Sequence, residues 1–297
     1  MDSIEQTTPL IGLRGRQRIP DFSVAYPQSI ADAVHLREEA RAVWMAGGID
    51  LVDDLKQGRA VERVVPLSRL QDLKEIALTP DGTLRIGALV TYRELSEHPL
   101  VLDKAPDLAK LIGAVANIRI RSKATVGGSI MSRNGAYDLM PALLALGATL
   151  IFHGEDGDGA STARVAASQL TDDEQRLLQA VEIPASASQL KVDRTLRPSA
   201  CAFLGFATKG SNGALLRLAT SCTHPRPAVA EVTVDAASAS DLAANAALWA
   251  EQLVASLPMP MSDTIASADY RRRVLIVLAK RLIASATSSS IADTDHE

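Results

Sequence analysis

The chain has 297 residues, 47% hydrophobic and 3% aromatic, with 31 Lys and Arg against 35 Asp and Glu for a net charge of −4. That is enough apolar material for more than one core, and the mild acidity offers no basic face to nucleic acid or to an anionic membrane. No apolar run approaches the roughly 20 residues of a membrane span, and Met1-Asp2-Ser3-Ile4-Glu5-Gln6 lacks the basic start and apolar centre of a signal peptide, so the expected location is cytoplasmic. The two cysteines, Cys201 and Cys222, are too few for an iron–sulfur cluster, which takes four, and read as buried free thiols. The five histidines show no metal-ligand spacing, so no metal is expected on this chain.

Residues 1–18 read as a flexible polar arm carrying Arg14, Arg16 and Arg18. Phe22 to Tyr26 alternates as a strand, and Ser29 caps a helix with Asp32 three positions on. Ala42 to Ala46 is a short buried strand holding Trp44; Gly47-Gly48 turns it, and Asp50 to Lys56 is a helix that Gly58 ends. The next strand is Val61 to Leu67. Glu75 to Leu78 and Leu84 to Leu89 form a hairpin about Thr79-Pro80-Asp81-Gly82. Thr91 caps Tyr92 to Glu97, and a longer helix covers Pro106 to Ala116. A basic stretch with Arg119, Arg121 and Lys123 leads to Thr125-Val126-Gly127-Gly128-Ser129, which reads as a tight turn, and then to a helix from Asp138 to Leu146 stopped by Gly147.

Ala148 to Phe152 is a strand, Gly154 to Gly159 a solvated acidic turn, and residues 166–177 an exposed connection. Leu178 to Ile183 is a strand. Residues 185–199, rich in Ala, Ser and Gln, read as a domain boundary. Beyond it lie strands Ala200 to Thr208, Leu215 to Thr220 and Ala228 to Val234, then helices Ala239 to Ser256 and Ser267 to Ala286, an α+β module. Arg271, Arg272 and Arg273 read as a solvated or subunit-facing surface, and 288–297 as a disordered tail.

Each of the two Gly-Gly turns follows an apolar run and precedes a helix. Paired glycines let the backbone approach a ligand, and successive free N–H groups bind anions. The donors offered are the N–H groups of Gly47, Gly48, Ile49, Asp50, Gly127, Gly128 and Ser129, with hydroxyls of Thr125, Ser129 and Ser132. Neither turn is G-x-G-x-x-G, and neither is a P-loop.

Ala46-Gly47-Gly48-Ile49-Asp50-Leu51, Thr125-Val126-Gly127-Gly128-Ser129 and Asp138-Leu139-Met140-Pro141, in that order, resemble the flavoprotein medium subunit of molybdenum hydroxylases of the carbon monoxide dehydrogenase and xanthine dehydrogenase type. Similar stretches at Pro20 to Val34, Leu84 to Leu95 and Ala268 to Val274 extend the resemblance over most of the chain.

The resemblance implies an α+β fold. A small N-terminal βαβ unit (19–60) and a larger mixed α/β domain (61–188) would clasp FAD, and a C-terminal antiparallel sheet with helices (196–287) would follow. It implies FAD contacts at Ala46, Gly47, Gly48, Ile49, Asp50, Leu51, Thr125, Gly127, Gly128, Ser129, Ser132, Asp138 (to the adenosine ribose) and Leu178, with no catalytic acid, base or nucleophile on this chain.

It also implies partners: a large molybdopterin subunit, a small subunit with two [2Fe–2S] clusters that deliver electrons, and an external electron acceptor, in a dimer of heterotrimers. Three departures from the family stand out. Ile49 replaces a small polar residue, Ala124 a common glycine, and Ala200 to Leu218 lacks the usual charged residues, keeping only Lys209 and Arg217. They leave open a flavin-free scaffold subunit; a stand-alone FAD reductase is the other alternative.

Overall fold

The computed structural model describes residues 19–38, 42–154, 162–196, 199–209, 213–235 and 239–286. The expected arm at 1–18, the acidic turn after Gly154 and the tail at 288–297 lie outside them. The chain divides into two compact units, one ending at Gln71 and the other starting at Asp72. Among the described residues no helix is long and apolar enough to cross a membrane.

The first unit runs β1 (Ser23–Val24), α1 (Ile30–Glu38), β2 (Ala42–Met45), α2 (Ile49–Lys56) and β3 (Arg63–Pro66). Helix α1 begins as expected: the Asp32 N–H donates to Ser29 Oγ (3.0 Å) and the Gln28 N–H to the Asp32 carboxylate (2.7 Å). The sheet is parallel with β3 at its centre, pairing Val64 with Val24 on one side and Val43 on the other. The Val61 to Leu67 strand thus belongs to this sheet and does not open the following region. Val64 and Val65 are both buried, which suits a central parallel strand covered on both faces. Leu55, Val61 and Val64 form a small core with Phe22, Val43, Met45 and Leu51 against it.

The second unit begins with β4 (Ile76–Leu78), β5 (Leu84–Gly87), α3 (Tyr92–Glu97), α4 (Pro99–Lys104), α5 (Pro106–Gly113), α6 (Ile118–Arg121), α7 (Val126–Met131), α8 (Leu139–Ala145), β6 (Thr149–His153), β7 (Thr162–Ala166) and β8 (Leu178–Ile183). The five strands form an antiparallel sheet in the order β4-β5-β8-β6-β7. Glu182 of β8 is buried and is paired by Arg85 of β5 and Arg164 of β7. Thr91 starts α3 with a full capping box to Glu94.

A second antiparallel sheet follows: β9 (Ala187–Arg194), β10 (Cys201–Lys209), β11 (Gly213–Ser221) and β12 (Ala228–Asp235), in the order β12-β11-β10-β9. Helices α9 (Ala239–Ala244), α10 (Ala246–Ser256) and α11 (Ala268–Ala286) complete the chain. Strand β10 alternates strictly. Ala200, Ala202 and Leu204 point into the core shared with α10 and α11, whereas Cys201 and Phe203 point into the core shared with α8. Both faces are covered, so β10 reads as one apolar run.

Three expectations change here. Residues 185–199, read as a domain boundary, are largely a strand. Most of them form edge strand β9, which buries Leu190 and carries the charged Lys191, Asp193 and Arg194, so its composition looked loop-like. The helix expected over Ala239 to Ser256 is broken at Asn245 into α9 and α10. Arg271 is not on the surface: it is fully buried, with its guanidinium pinning the segment before α11.

Candidate functional site

In the first unit β2 ends at Met45 and the chain turns through Gly47 and Gly48 into α2. Gly48 sits at φ 77°, the left-handed region that glycine reaches without strain, and is the N-cap of α2 with no side chain to cap it. The first helical bond is Val52 N–H to Gly48 O (3.1 Å). Among the described residues, the N–H groups of Gly47, Gly48, Ile49 and Leu51 meet no acceptor. This is an uncapped helix start whose amides and dipole favour an anion.

Ile49 opens α2, so its departure removes a side-chain donor and keeps the amide. Leu51 packs on the small core and Ala46 is half-buried. Trp44 is occupied elsewhere: its indole N–H donates to Ala33 O (2.8 Å), and the Arg37 guanidinium stacks 4.2 Å above its ring.

The second Gly-Gly motif differs from expectation. It is not a turn at a strand end. Thr125 is the N-cap of α7, and Gly127 and Gly128 are helical. Its amides are used internally: Val126 N–H donates to Val90 O (2.9 Å), Gly127 to Ala88 O (2.7 Å), Gly128 to Thr125 Oγ1 (3.1 Å) and Ser129 to Thr125 O (3.0 Å). Gly127 is needed for close approach, because a Cβ there would lie 2.8 Å from Ala88 Cβ and 2.9 Å from its carbonyl oxygen. With those four amides used, the motif's free side-chain donors are hydroxyls. Ser129 Oγ makes no bond among the described residues, Thr125 Oγ1 accepts from Gly128 and keeps its own proton to give, and Ser132 Oγ donates to Ser129 O (3.0 Å).

Asp138 is the N-cap of α8, with no capping bond of its own. Its carboxylate is mostly buried and meets the Arg194 guanidinium of β9 at 3.2 Å. Burial pushes its pKa above the ordinary carboxylate range, and the Arg194 charge pulls the other way. The sign follows. An unfolded aspartate titrates at about 3.9, and the folded one holds its proton to higher pH, so stability falls as pH rises through that interval. Asp138→Asn is expected to lack this fall, measured as the change in urea midpoint across the acid range. An unchanged pH dependence would contradict the assignment.

Helix α7 packs on α8 and on β8, so the fold brings Thr125, Gly127, Gly128, Ser129, Ser132 and Asp138 into one neighbourhood. The side chain of Leu178 on β8 lies in the main core. Residues Ala46 to Leu51 belong to the first unit. Arg119 and Lys123 are exposed, whereas Arg121 holds the loop just past α5 through Val115 O (2.9 Å) and Ala116 O (3.0 Å). Arg217, one of the few charges kept on the C-terminal strands, lies against Gly147 just past α8 and pairs with Glu231.

Two residues escaped the sequence reading. Arg194 lies in the stretch read as a domain boundary. Arg133, at φ 56° just beyond α7, donates to Asp172 O and to Glu174 O (2.7 Å) and holds residues 172–174 beside the helix; its Nε is buried without a partner. Only the lone basic residue in Ser132-Arg133-Asn134-Gly135 signalled it.

Residues 20–186, more than half of the chain, match the family model described as the FAD binding domain in molybdopterin dehydrogenase. The glyceraldehyde dehydrogenase medium chain of Sulfolobus acidocaldarius is 26% identical over 88% of this chain and 97% of its own length. The nicotinate dehydrogenase FAD-subunit of Eubacterium barkeri is 26% identical, and the match spans 64% of each chain, a little under two thirds of that relative.

Among solved structures, quinoline 2-oxidoreductase from Pseudomonas putida 86 superposes with a TM-score of 0.76 at 26% identity, covering 92% of this chain and 99% of that one. The copper–molybdenum carbon monoxide dehydrogenase superposes with a TM-score of 0.74 at 26% identity, covering 91% and 99%.

Proposed function

Because the chain belongs to the family of FAD binding domains in molybdopterin dehydrogenases, we propose that it is the FAD-carrying electron-transfer subunit of a molybdenum hydroxylase-type dehydrogenase. The observation that carries this is the uncapped start of α2, where Gly47, Gly48 and Ile49 present amides without acceptors behind a left-handed glycine. A dinucleotide pyrophosphate carries two negative charges and suits such donors.

The donor set of the second unit fits FAD through other groups. The hydroxyls of Thr125 and Ser129 serve phosphate or ribose oxygens, and Asp138, oriented by Arg194, accepts from the adenosine ribose. Gly127, Gly128, Ser132 and Leu178 contribute shape, setting how closely α7 approaches Ala88 and β8. When bound, FAD supplies the redox chemistry, taking electrons singly and passing on a pair. This chain's residues bind and orient it.

The partners in this reading are a small subunit with two [2Fe–2S] clusters that delivers electrons, a large molybdopterin subunit that oxidises the substrate, and an external acceptor, in a dimer of heterotrimers. Both relatives named above are dehydrogenase subunits by name. The setting is cytoplasmic, where free thiols such as Cys201 and Cys222 persist.

One observation favours the alternative of a flavin-free scaffold subunit: the amides of Val126, Gly127, Gly128 and Ser129 in the second motif are used within the protein. A titration of FAD into the full chain, followed by flavin fluorescence, separates the two. Gly48→Val puts a branched side chain at φ 77° and is expected to weaken FAD at least about tenfold, about 1.4 kcal/mol. Ser129→Ala is expected to weaken it less. Equal affinity of wild type and Gly48→Val would remove α2 from the site, and no binding by wild type would favour the scaffold.

A further inference from the structure

The chain's only two cysteines meet in space, although 20 residues separate them in sequence. Cys201 opens β10 directly opposite Ser221, the last residue of β11, and Cys222 follows Ser221. Ladder spacing puts the two cysteine Cα atoms about 6 Å apart, inside the span a disulfide bridges. At Cys222 the backbone leaves the strand in the left-handed region, φ 62°, held by its N–H donating to Gly135 O (3.0 Å). Side chains other than glycine, asparagine and aspartate rarely adopt that conformation. Here it turns Cys222 toward the core that holds Cys201, and Cys222 packs against that core.

Cys201 is buried and Cys222 half-exposed, so Cys222 is the more accessible of the two. The groups facing the pair are Ser221, whose hydroxyl lies 3.9 Å from Cys222 Sγ, Arg194 of β9, and Asp138 at the start of α8.

We propose that Cys201 and Cys222 are a redox-active pair, which hydrogen peroxide converts reversibly to an intrachain disulfide beside Asp138. The reading is independent of the cofactor. The Cys222 thiol is pulled down to about 6, first by the hydrogen bond from Cys201, against burial, with the Arg194 guanidinium helping and Asp138 opposing. The same hydrogen bond pushes Cys201 up. Cys222, the more accessible of the two and with its pKa lowered, is the sulfur that reacts first, and Cys201 stands behind it.

The Cys222 thiolate attacks one peroxide oxygen, the O–O bond breaks, and hydroxide leaves to take a proton and become water. The Cys201 sulfur then attacks the resulting sulfenic acid, loses its proton, and expels hydroxide as a second water while the S–S bond forms. Two thiols and one peroxide thus give one disulfide and two waters; the sulfurs lose two electrons and the peroxide gains them. The bridge ties the start of β10 to the turn after β11, whose Cys222 amide holds Gly135 in the loop leading to Asp138.

With only two cysteines in the chain, the thiol count is a direct readout. The full-length protein is treated with equimolar hydrogen peroxide at neutral pH, denatured, alkylated and weighed intact. The expected result is simultaneous loss of both thiols, a mass lower by two hydrogen atoms, a monomer on a non-reducing gel, and recovery of both thiols with dithiothreitol. Cys201→Ala is expected to stop at a Cys222 sulfenic acid that dimedone traps, and Cys222→Ser to leave Cys201 unreacted. Two thiols that remain alkylatable, dimers linked between chains as the sole product, or loss of Cys201 undiminished by Cys222→Ser would each overturn the proposal.

Discussion

Replacing Arg271 by leucine is expected to lower the stability of the chain by about 3–5 kcal/mol, the usual cost of removing one partner from a buried charged network. Arg271 is fully buried on α11. Its Nε donates to Ser199 O (2.9 Å), its Nη1 to Met261 O (2.6 Å) and Ala266 O (3.3 Å), and its Nη2 to both oxygens of Asp263 (2.9 and 2.8 Å). One planar fork thus ties the segment before α11, and the residue leading into β10, to a single side chain. Leucine fills the volume, leaves the Ser199 and Met261 carbonyls without their Arg271 donor, and removes the charge paired with Asp263.

Arg271→Lys supplies one ammonium and is expected to recover a minor part. The Asp263 carboxyl is held below its ordinary range, first by the Arg271 hydrogen bond. The stability this contributes is present above the ordinary aspartate value and is lost as pH falls through the lowered one. Urea unfolding at neutral pH is the measurement; a midpoint within error of wild type would refute the network's role.

Gly205→Ala is expected to be comparably damaging, about 3 kcal/mol, the upper end of overpacking costs. A Cβ at Gly205 of β10 would lie 1.9 Å from Ala145 O and 2.5 Å from its carbonyl carbon. Those are backbone atoms of the last residue of α8, so no side chain can swing away and the helix itself must lift off the sheet. The site is affected with it, because Asp138 is the N-cap of the same helix. Gly127→Ala is the milder counterpart, since its Cβ would meet Ala88 at 2.8 Å and 2.9 Å. A Gly205→Ala protein as stable as wild type would mean that α8 sits farther from β10 than described.

The local chemistry of the chain was legible where one residue type has one use. Ser29 and Thr91 both cap the helices expected of them, Gly48 and Gly147 occupy the left-handed conformations their positions implied, and β10 to β12 lie close to where their apolar runs placed them. Legibility failed where the deciding partner is distant in sequence. The pattern Thr125-Val126-Gly127-Gly128-Ser129 looks like a turn because paired glycines disfavour helix. It becomes a helix because Ala88 and Val90 accept its first amides and only glycine fits against Ala88.

Strand β9 was hidden because an edge strand with one buried leucine has the composition of a loop. Val61 to Leu67 was read as a strand, but its neighbours β1 and β2 were not visible locally. Arg271 shows the same limit: an Arg-Arg-Arg run suggests solvent, and only the fold reveals that the first of the three is inside. In the candidate site the residues of both motifs were readable from the family's pattern. Their hydrogen-bond state was not: the amides of Val126 to Ser129 are used within the protein, and the hydroxyls of Thr125 and Ser129 keep a proton to give.

The most direct test of the account is the visible absorption spectrum of the full-length protein, purified alone and then assembled with its partner subunits. The account predicts flavin bands near about 370 and 450 nm that Gly48→Val strips from a protein still folded by circular dichroism. A protein that is colourless alone, and whose assembled complex holds no extractable FAD, would contradict it.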